Sequence, residues 1–267
     1  LYVVNEVLLE EYLYAVVPSE MPSSYPTEAL KAQAICARTY AYGHMLLPSN
    51  TLVGAHVDDS AGYQVYNNIQ EQDTTTAAVK ATSGQLLYAS GGLVETYYYS
   101  TSCGFGSDAN VWKGSQTENP AYLQAKRIGT TEEDIYSGES MMQEDHFAEF
   151  IECSFEEDFE ASIAWYRWTY AVDEVDCENM LSVLQKRYEA NPKLVLTREK
   201  EGIYRSEPIE NLGDISDIYI ERRGSGGVAD ELLIETEKGI IKVISEHNIR
   251  YVLCDGITQV RRQDGSF

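Results

Sequence analysis

Pro26-Thr27-Glu28-Ala29-Leu30-Lys31-Ala32-Gln33-Ala34-Ile35-Cys36-Ala37-Arg38-Thr39-Tyr40-Ala41 is the stretch around which the rest of the chain can be read. Proline suits the start of a helix, because its missing N–H would be unsatisfied there anyway and its φ is already helical. Leu30, Ala34, Ala37, Ala41 and Met45 recur at helical spacing, which predicts a helix from Pro26 and Thr27 to about Leu46. Its face is rich in alanine. Small side chains let neighbours approach closely, so this helix is expected to be central and buried.

Upstream, Asn5 is a candidate N-cap for a helix through Val17 that shows Leu8, Leu9, Tyr12, Leu13 and Val16 on one face. Pro18 is expected to stop it. The five residues Pro18-Ser19-Glu20-Met21-Pro22 then form a turn stiffened by a proline at each end. Downstream, Tyr63 to Tyr66, Gly84 to Tyr88 and Leu93 to Tyr99 read as strands, with a short helix in the Thr-rich stretch Thr74 to Thr82. Residues 100–120 are glycine-rich and loop-like. A strongly acidic stretch follows, with a helix expected at Glu178 to Ala190. Ile215 to Arg222, Val228 to Thr236 and Gly239 to Ile244 read as a meander. The expected class is α+β: a long Ala-rich central helix packed on antiparallel strands, an acidic variable insertion and a C-terminal β-meander. Composition divides the chain into a core at 1–129 that holds the Ser-Glu-Met-Pro turn, an acidic lobe at 130–192 and the meander at 193–267, expected to pack on the core.

The 267 residues include 43 Asp and Glu against 20 Lys and Arg, a formal net charge of −23. A nucleic-acid partner is excluded on that ground, since gripping phosphates needs a basic stripe and here the basic runs are no longer than pairs such as Arg222-Arg223. An anionic membrane surface is repelled for the same reason. No run approaches the ~20 apolar residues of a membrane helix, so membrane attachment is expected only through an anchor outside this sequence. Twenty tyrosines offer flat apolar faces with polar tips, the kind of surface on which sugars and peptides rest.

Common catalytic and cofactor patterns are missing. The four histidines show no metal-ligand spacing, the five cysteines no C-x-x-C, and no Walker loop, G-x-S-x-G or G-x-G-x-x-G occurs. Neither a cofactor nor a metal is expected. Cys103, with His56 as base, is a conceivable nucleophile, but a cysteine beside a glycine is more often structural. Glu20 remains, one of 43 acids, with a cap for the helix near Thr27 as its bland alternative.

Here resemblance adds to the residues. Val16-Val17-Pro18-Ser19-Glu20-Met21-Pro22, followed by Glu28 to Ala34 and Ala37 to Ala41, resembles the signature of the stage II sporulation protein D family of peptidoglycan lytic transglycosylases. Further similar pieces follow in order: Asp58-Asp59-Ser60 through Tyr66, Ala78 to Gly84, Tyr98 to Ser102 with Gly104, Val111-Trp112, Pro120 to Leu123, Tyr166-Arg167-Trp168, and Arg222 to Gly224 with Gly226. The resemblance implies that Glu20 is the catalytic acid. It also implies cleavage of the β-1,4 bond between N-acetylmuramic acid and N-acetylglucosamine in glycan strands stripped of stem peptides. A single carboxylate can serve because the 6-hydroxyl of the muramic acid is itself the tethered nucleophile, leaving a 1,6-anhydro sugar.

On the same basis Arg38, Gln64, Tyr66, Tyr99, Ser100, Thr101, Ser102 and Trp112 are expected to bind the glycan, with support of Glu20 or pairing to a core acid as the alternatives for Arg38. Many members have a histidine where Tyr99 stands, so the zinc of some relatives is not carried over. The motif blocks that contain Cys36 and Cys103 converge in the family, which implies that the two are close and, outside the cytoplasm, disulfide-linked. Implied as well are an extracytoplasmic setting and an amidase partner. The rival implication is a non-catalytic glycan-binding amidase enhancer on the same scaffold.

Overall fold

The computed structural model describes residues 3–48, 53–60, 62–113, 120–130, 136–199 and 201–267. Parts of the expected loop (114–119) and of the acidic stretch (131–135) lie outside the described residues. The chain is α+β and divides into two compact units, Leu1–Tyr99 and Ser100–Phe267.

The first unit is built on three helices, α1 (Leu9–Glu20), α2 (Thr27–Met45) and α3 (Asp73–Ala81), followed by a two-residue hairpin of β1 (Tyr88–Ala89) and β2 (Gly92–Leu93). Leu13, Val16 and Val17 of α1, Ala34 and Ala37 of α2 and Val79 of α3 form its core, all fully buried. Each of the larger side chains contributes about 1.5–3 kcal/mol by leaving water. The alanines let α2 lie close to both other helices, so α2 packs on α1 and α3 rather than on antiparallel strands. The expected strands at 63–66 and 84–99 reduce to the small hairpin. Those segments are instead pinned to α2 by side chains: Gln64 Nε2 donates to Ala37 O (3.3 Å), Thr96 Oγ1 to Cys36 O (2.8 Å), and Leu87 N to Thr39 Oγ1 (3.1 Å).

The α1 boundaries also differ from those expected. The helix begins at Leu9, because Val7 and Leu8 are exposed and a helix start with nothing to pack against gains little. It runs through Pro18 to Glu20. In a last turn Pro18 forfeits one hydrogen bond, to the Tyr14 carbonyl, while Val16 and Val17 stay buried and Met21 N–H closes on Val17 O at 2.9 Å. Glu20 is therefore the last residue of a helix.

The second unit opens with short helices α4 (Asn110–Lys113) and α5 (Glu144–Glu152) and strand β3 (Trp168–Thr169). It continues with α6 (Cys177–Ala190), β4 (Val195–Arg198), β5 (Ile215–Arg223), β6 (Ala229–Thr236), β7 (Gly239–Ile244), α7 (Glu246–Leu253) and β8 (Arg261–Arg262). Strands β5, β6 and β7 form the expected meander, and β4, not anticipated, adds to β7, giving an antiparallel sheet of order β4-β7-β6-β5. Alternate residues Leu232 and Ile234 of β6 and Ile241 and Val243 of β7 join Leu184 of α6 and Ile249 and Val252 of α7 in the main core. The acidic stretch supplies part of a second cluster around Phe105, Tyr136, Met141 and Phe150. Beside it Asp158 is buried, held by Arg127 Nε at 2.8 Å and the Tyr166 hydroxyl at 2.5 Å.

Candidate functional site

The end of α1 grips the segment after Gln64. Glu20 Oε1 accepts the Val65 N–H at 2.7 Å and the Tyr98 hydroxyl at 3.0 Å. One residue earlier, Ser19 Oγ accepts the Asn67 N–H at 3.1 Å while donating to Ala15 O at 2.7 Å. No side chain caps α2, so Glu20 is not the cap of that helix. Its second oxygen, Oε2, has no hydrogen-bond donor among the described residues, and the residue is half-buried.

Three buried or half-buried groups stand behind it. Gln64 donates through Nε2 to the Tyr98 hydroxyl at 3.0 Å, and its Oε1 accepts the Tyr12 hydroxyl at 3.3 Å. Tyr12 in turn stacks on Tyr66, ring centroids 5.6 Å apart and nearly parallel. Burial first, then its neighbours Tyr40, Glu20 and Tyr66, hold the Tyr12 phenol well above its ordinary range. Burial does the same for Tyr98, outweighing the Gln64 hydrogen bond with help from the Glu20 charge. Tyr40 is raised by burial, then by Tyr97, Tyr63 and Glu20. All three hydroxyls are donors at neutral pH. Tyr40 also leads away from Glu20 into an aromatic row, with His44 at 4.5 Å and Tyr63 a further 5.2 Å on between ring centroids. Burial lowers the His44 imidazole, against a weaker pull from Glu95.

Of the residues expected from the sequence, the structure brings Glu20, Gln64 and Tyr66 together. Gln64 is 3% exposed, so it organises the site from within and offers no surface to a sugar. Arg38 is a correction. At 1% exposure it spends its guanidinium on Glu10 (2.8 and 3.0 Å), on the carbonyls of Ala34, Val79 and Gln85, and on Thr82 Oγ1. That is the core-acid pairing, and no donor is left for a ligand carboxylate. Tyr99 ends the first unit with its ring exposed.

Ser100, Thr101, Ser102 and Trp112 belong to the second unit. Ser100 is exposed and Thr101 half-buried. Ser102 is occupied inside its unit: its N–H (2.7 Å) and its hydroxyl both bond Glu160 Oε2, and its Oγ accepts the Gly104 N–H at 3.0 Å. Trp112 sits in α4, and its side chain lies outside the described residues. The expected Cys36–Cys103 disulfide is not formed, both being free thiols half-buried in their own units. Burial pushes each thiol up, in Cys103 against an opposing backbone hydrogen bond from Phe105 and the Arg167 charge. A nucleophilic cysteine needs the reverse shift, which counts against the cysteine-hydrolase reading. Among the described residues no helix is long and apolar enough to cross a membrane.

Tyr98, Tyr12 and Glu10 were not singled out from the sequence. A signal for Tyr98 was present: it is the middle of three tyrosines, and its neighbours Tyr97 and Tyr99 point to solvent, as alternation along an extended chain requires.

Comparison with known proteins covers Glu20 and most of the residues around it, Tyr98 lying beyond the stretch matched by the family model. Residues 1–88 match the family model described as stage II sporulation protein, SpoIID. The stage II sporulation protein D of Bacillus subtilis is 37% identical over 125 residues, 41% of this chain and 36% of that protein. The amidase enhancer of the same organism is 39% identical over 116 residues, 43% of this chain and 15% of it. An uncharacterized protein of Brachyspira hyodysenteriae is 41% identical over 108 residues, 40% of this chain and 29% of it. The matches thus span about a third or less of those relatives' lengths. Through residues 1–88 the chain is similar to the stage II sporulation protein D (SpoIID) family.

Proposed function

We propose that this chain is an extracytoplasmic peptidoglycan lytic transglycosylase with Glu20 as its single general acid and base. The observation that carries the reading is the asymmetry of the Glu20 carboxyl: Oε1 is fastened by Val65 N–H and Tyr98 O–H, and Oε2 is left for the reaction. In the first step Oε2 gives its proton to the glycosidic oxygen, and the bond from that oxygen to C1 of the muramic acid breaks with its electron pair going to the leaving sugar. In the second, the muramyl 6-hydroxyl oxygen bonds to C1 and its proton passes to Oε2, which restores the acid. Tyr66 and the exposed Tyr99 are the glycan-contacting rings of this reading in the first unit, since aromatic faces cover sugar C–H faces.

Glu20→Gln is the decisive variant, because a Gln side chain keeps an acceptor oxygen for Val65 and Tyr98 and removes only the transferable proton. Mass spectrometry of digested denuded glycan is expected to show 1,6-anhydromuramyl ends with the wild-type chain and a fall of about 100-fold or more with Glu20→Gln. Equal release by the variant would sink the catalytic reading. A second reading is favoured by the likeness to the amidase enhancer: a glycan-binding protein that stimulates a cell-wall amidase, with Glu20 serving only to fasten Val65. Retention on purified glycan and faster amidase turnover, without anhydro ends, would decide for it.

A further inference from the structure

Resting on Glu20 as proton donor, we propose that Gln64 and Tyr98 form a one-way hydrogen-bond relay that confines the Glu20 proton to Oε2. The direction is set at Ala37. Its main-chain carbonyl can only accept, and it lies 3.3 Å from one end of the Gln64 amide, so that end is the nitrogen. The same nitrogen is 3.0 Å from the Tyr98 oxygen, and an amide nitrogen only donates. Tyr98 must therefore accept from Gln64, and its one proton is left for Glu20 Oε1 at 3.0 Å. At the far end the Tyr12 hydroxyl holds Gln64 Oε1, and the stacking of Tyr12 on Tyr66 fixes that ring in turn.

Glu20 Oε1 then faces two donors, Val65 N–H and Tyr98 O–H, neither of which can turn away. A proton placed on Oε1 would displace one of them, either the Val65 N–H or the half-buried Tyr98 hydroxyl, and cost that bond. The proton belongs on Oε2. When Oε2 releases it to the glycosidic oxygen, the new negative charge spreads to Oε1, where both donors are already aimed and need no reorganisation. When the muramyl 6-hydroxyl gives up its proton, Oε2 receives it, and the carboxyl ends as it began. Tyr98 touches Glu20 and Gln64 touches Tyr98, so both act through Glu20 and are positioning residues.

The test uses the whole chain on denuded glycan strands, with anhydromuramyl ends counted over time to separate kcat from KM. Tyr98→Phe is expected to lower kcat about tenfold or more with KM unchanged. Gln64→Leu should give a similar or smaller loss, and the double variant no more than Tyr98→Phe alone, because one break already opens the relay. Proton NMR supplies a readout without turnover: a slowly exchanging Tyr98 hydroxyl resonance, absent in Tyr98→Phe and displaced in Gln64→Leu and in Glu20→Gln. An unchanged kcat, a loss expressed in KM, additive losses, or a hydroxyl resonance indifferent to Gln64→Leu would each overturn the relay. If Tyr98→Phe does not fold, Tyr12→Phe removes only the remote hydroxyl and must still shift the Tyr98 resonance and lower kcat. A wild-type chain that yields no anhydro ends overturns the catalytic reading itself, while the resonance decides whether the relay exists.

Discussion

Arg38 and Glu10 show what one buried cation does in a helix core. Arg38 ties α1, through Glu10, to the end of α3, through Val79 O and Thr82, and Gly84 N–H adds a bond to Glu10 Oε1 at 3.3 Å. Burial works to raise the Glu10 carboxyl, but the Arg38 and Gly84 hydrogen bonds outweigh it and hold it below the usual carboxylate range. Arg38→Met is expected to destabilise the first unit by about 2–4 kcal/mol, chiefly from the Glu10 carboxylate left without its cation, with a smaller part from the carbonyls and hydroxyl that lose a donor. The sign with pH follows from the lowered carboxyl. Stability from the pair is complete above the unfolded-chain value of about 4.3 and is lost as pH falls through the lower folded value. The gap between wild type and Arg38→Met, measured by urea unfolding followed by circular dichroism, should be wide at pH 7 and narrow below about pH 4. A gap independent of pH would mean that Glu10 is not the partner that matters. The sequence could offer Arg38 as either ligand or core residue, because a helical position fixes a face and not what that face meets.

Elements were legible where one periodicity decided them. Pro26 and Thr27 open α2 as expected, the Thr-rich stretch is α3, and the meander strands fall within a residue of their expected bounds. The segments 63–66 and 84–99 misled because alternating aromatic and β-branched residues mark a half-buried extended chain, and nothing in that pattern says whether its partner is a strand or a helix. Here it is α2, through Gln64, Thr39 and Thr96. Glu20 was recognisable by its motif, whereas the relay behind it joins residues 12, 64 and 98, a separation no local pattern spans. Two predictions belong to this scale. Pro18→Ala restores an N–H for the Tyr14 carbonyl and should stabilise α1 by about 1 kcal/mol. It should also slow anhydro-end release by altering the turn that aims Glu20, so a thermal melt and a product count are expected to move in opposite directions. In the second unit Gly239 has φ +140°, and a Cβ there would stand 2.2 Å from the Arg198 carbonyl oxygen. Since that oxygen is main chain of β4 and cannot swing aside, Gly239→Ala should cost about 2–4 kcal/mol, read as a lower denaturation midpoint of the second unit by tryptophan fluorescence.

At the scale of the molecule the charge of −23 is distributed unevenly but negative throughout: residues 1–99 hold 10 acidic and 3 basic side chains, residues 100–267 hold 33 and 17. The three cations of the first unit are all occupied. Lys31 pairs with Glu28 at 2.7 Å, Arg38 with Glu10 at 2.8 Å, and Lys80 lies 5.7 Å over the Tyr14 ring. A glycan strand that still carries stem-peptide carboxylates therefore approaches an acidic surface with no cation set aside to receive it, while a denuded strand brings far less charge. If such repulsion sets a preference for denuded strands in the proposed reaction, that preference must weaken with salt, because the screening length falls from about 10 Å at 0.1 M to about 3 Å at 1 M. The ratio of anhydro-end release from denuded over peptide-bearing strands should thus be largest at low ionic strength and shrink several-fold by about 0.5 M salt. A ratio that stays constant would assign the discrimination to the bulk of the peptides, with the charge left to act on solubility alone.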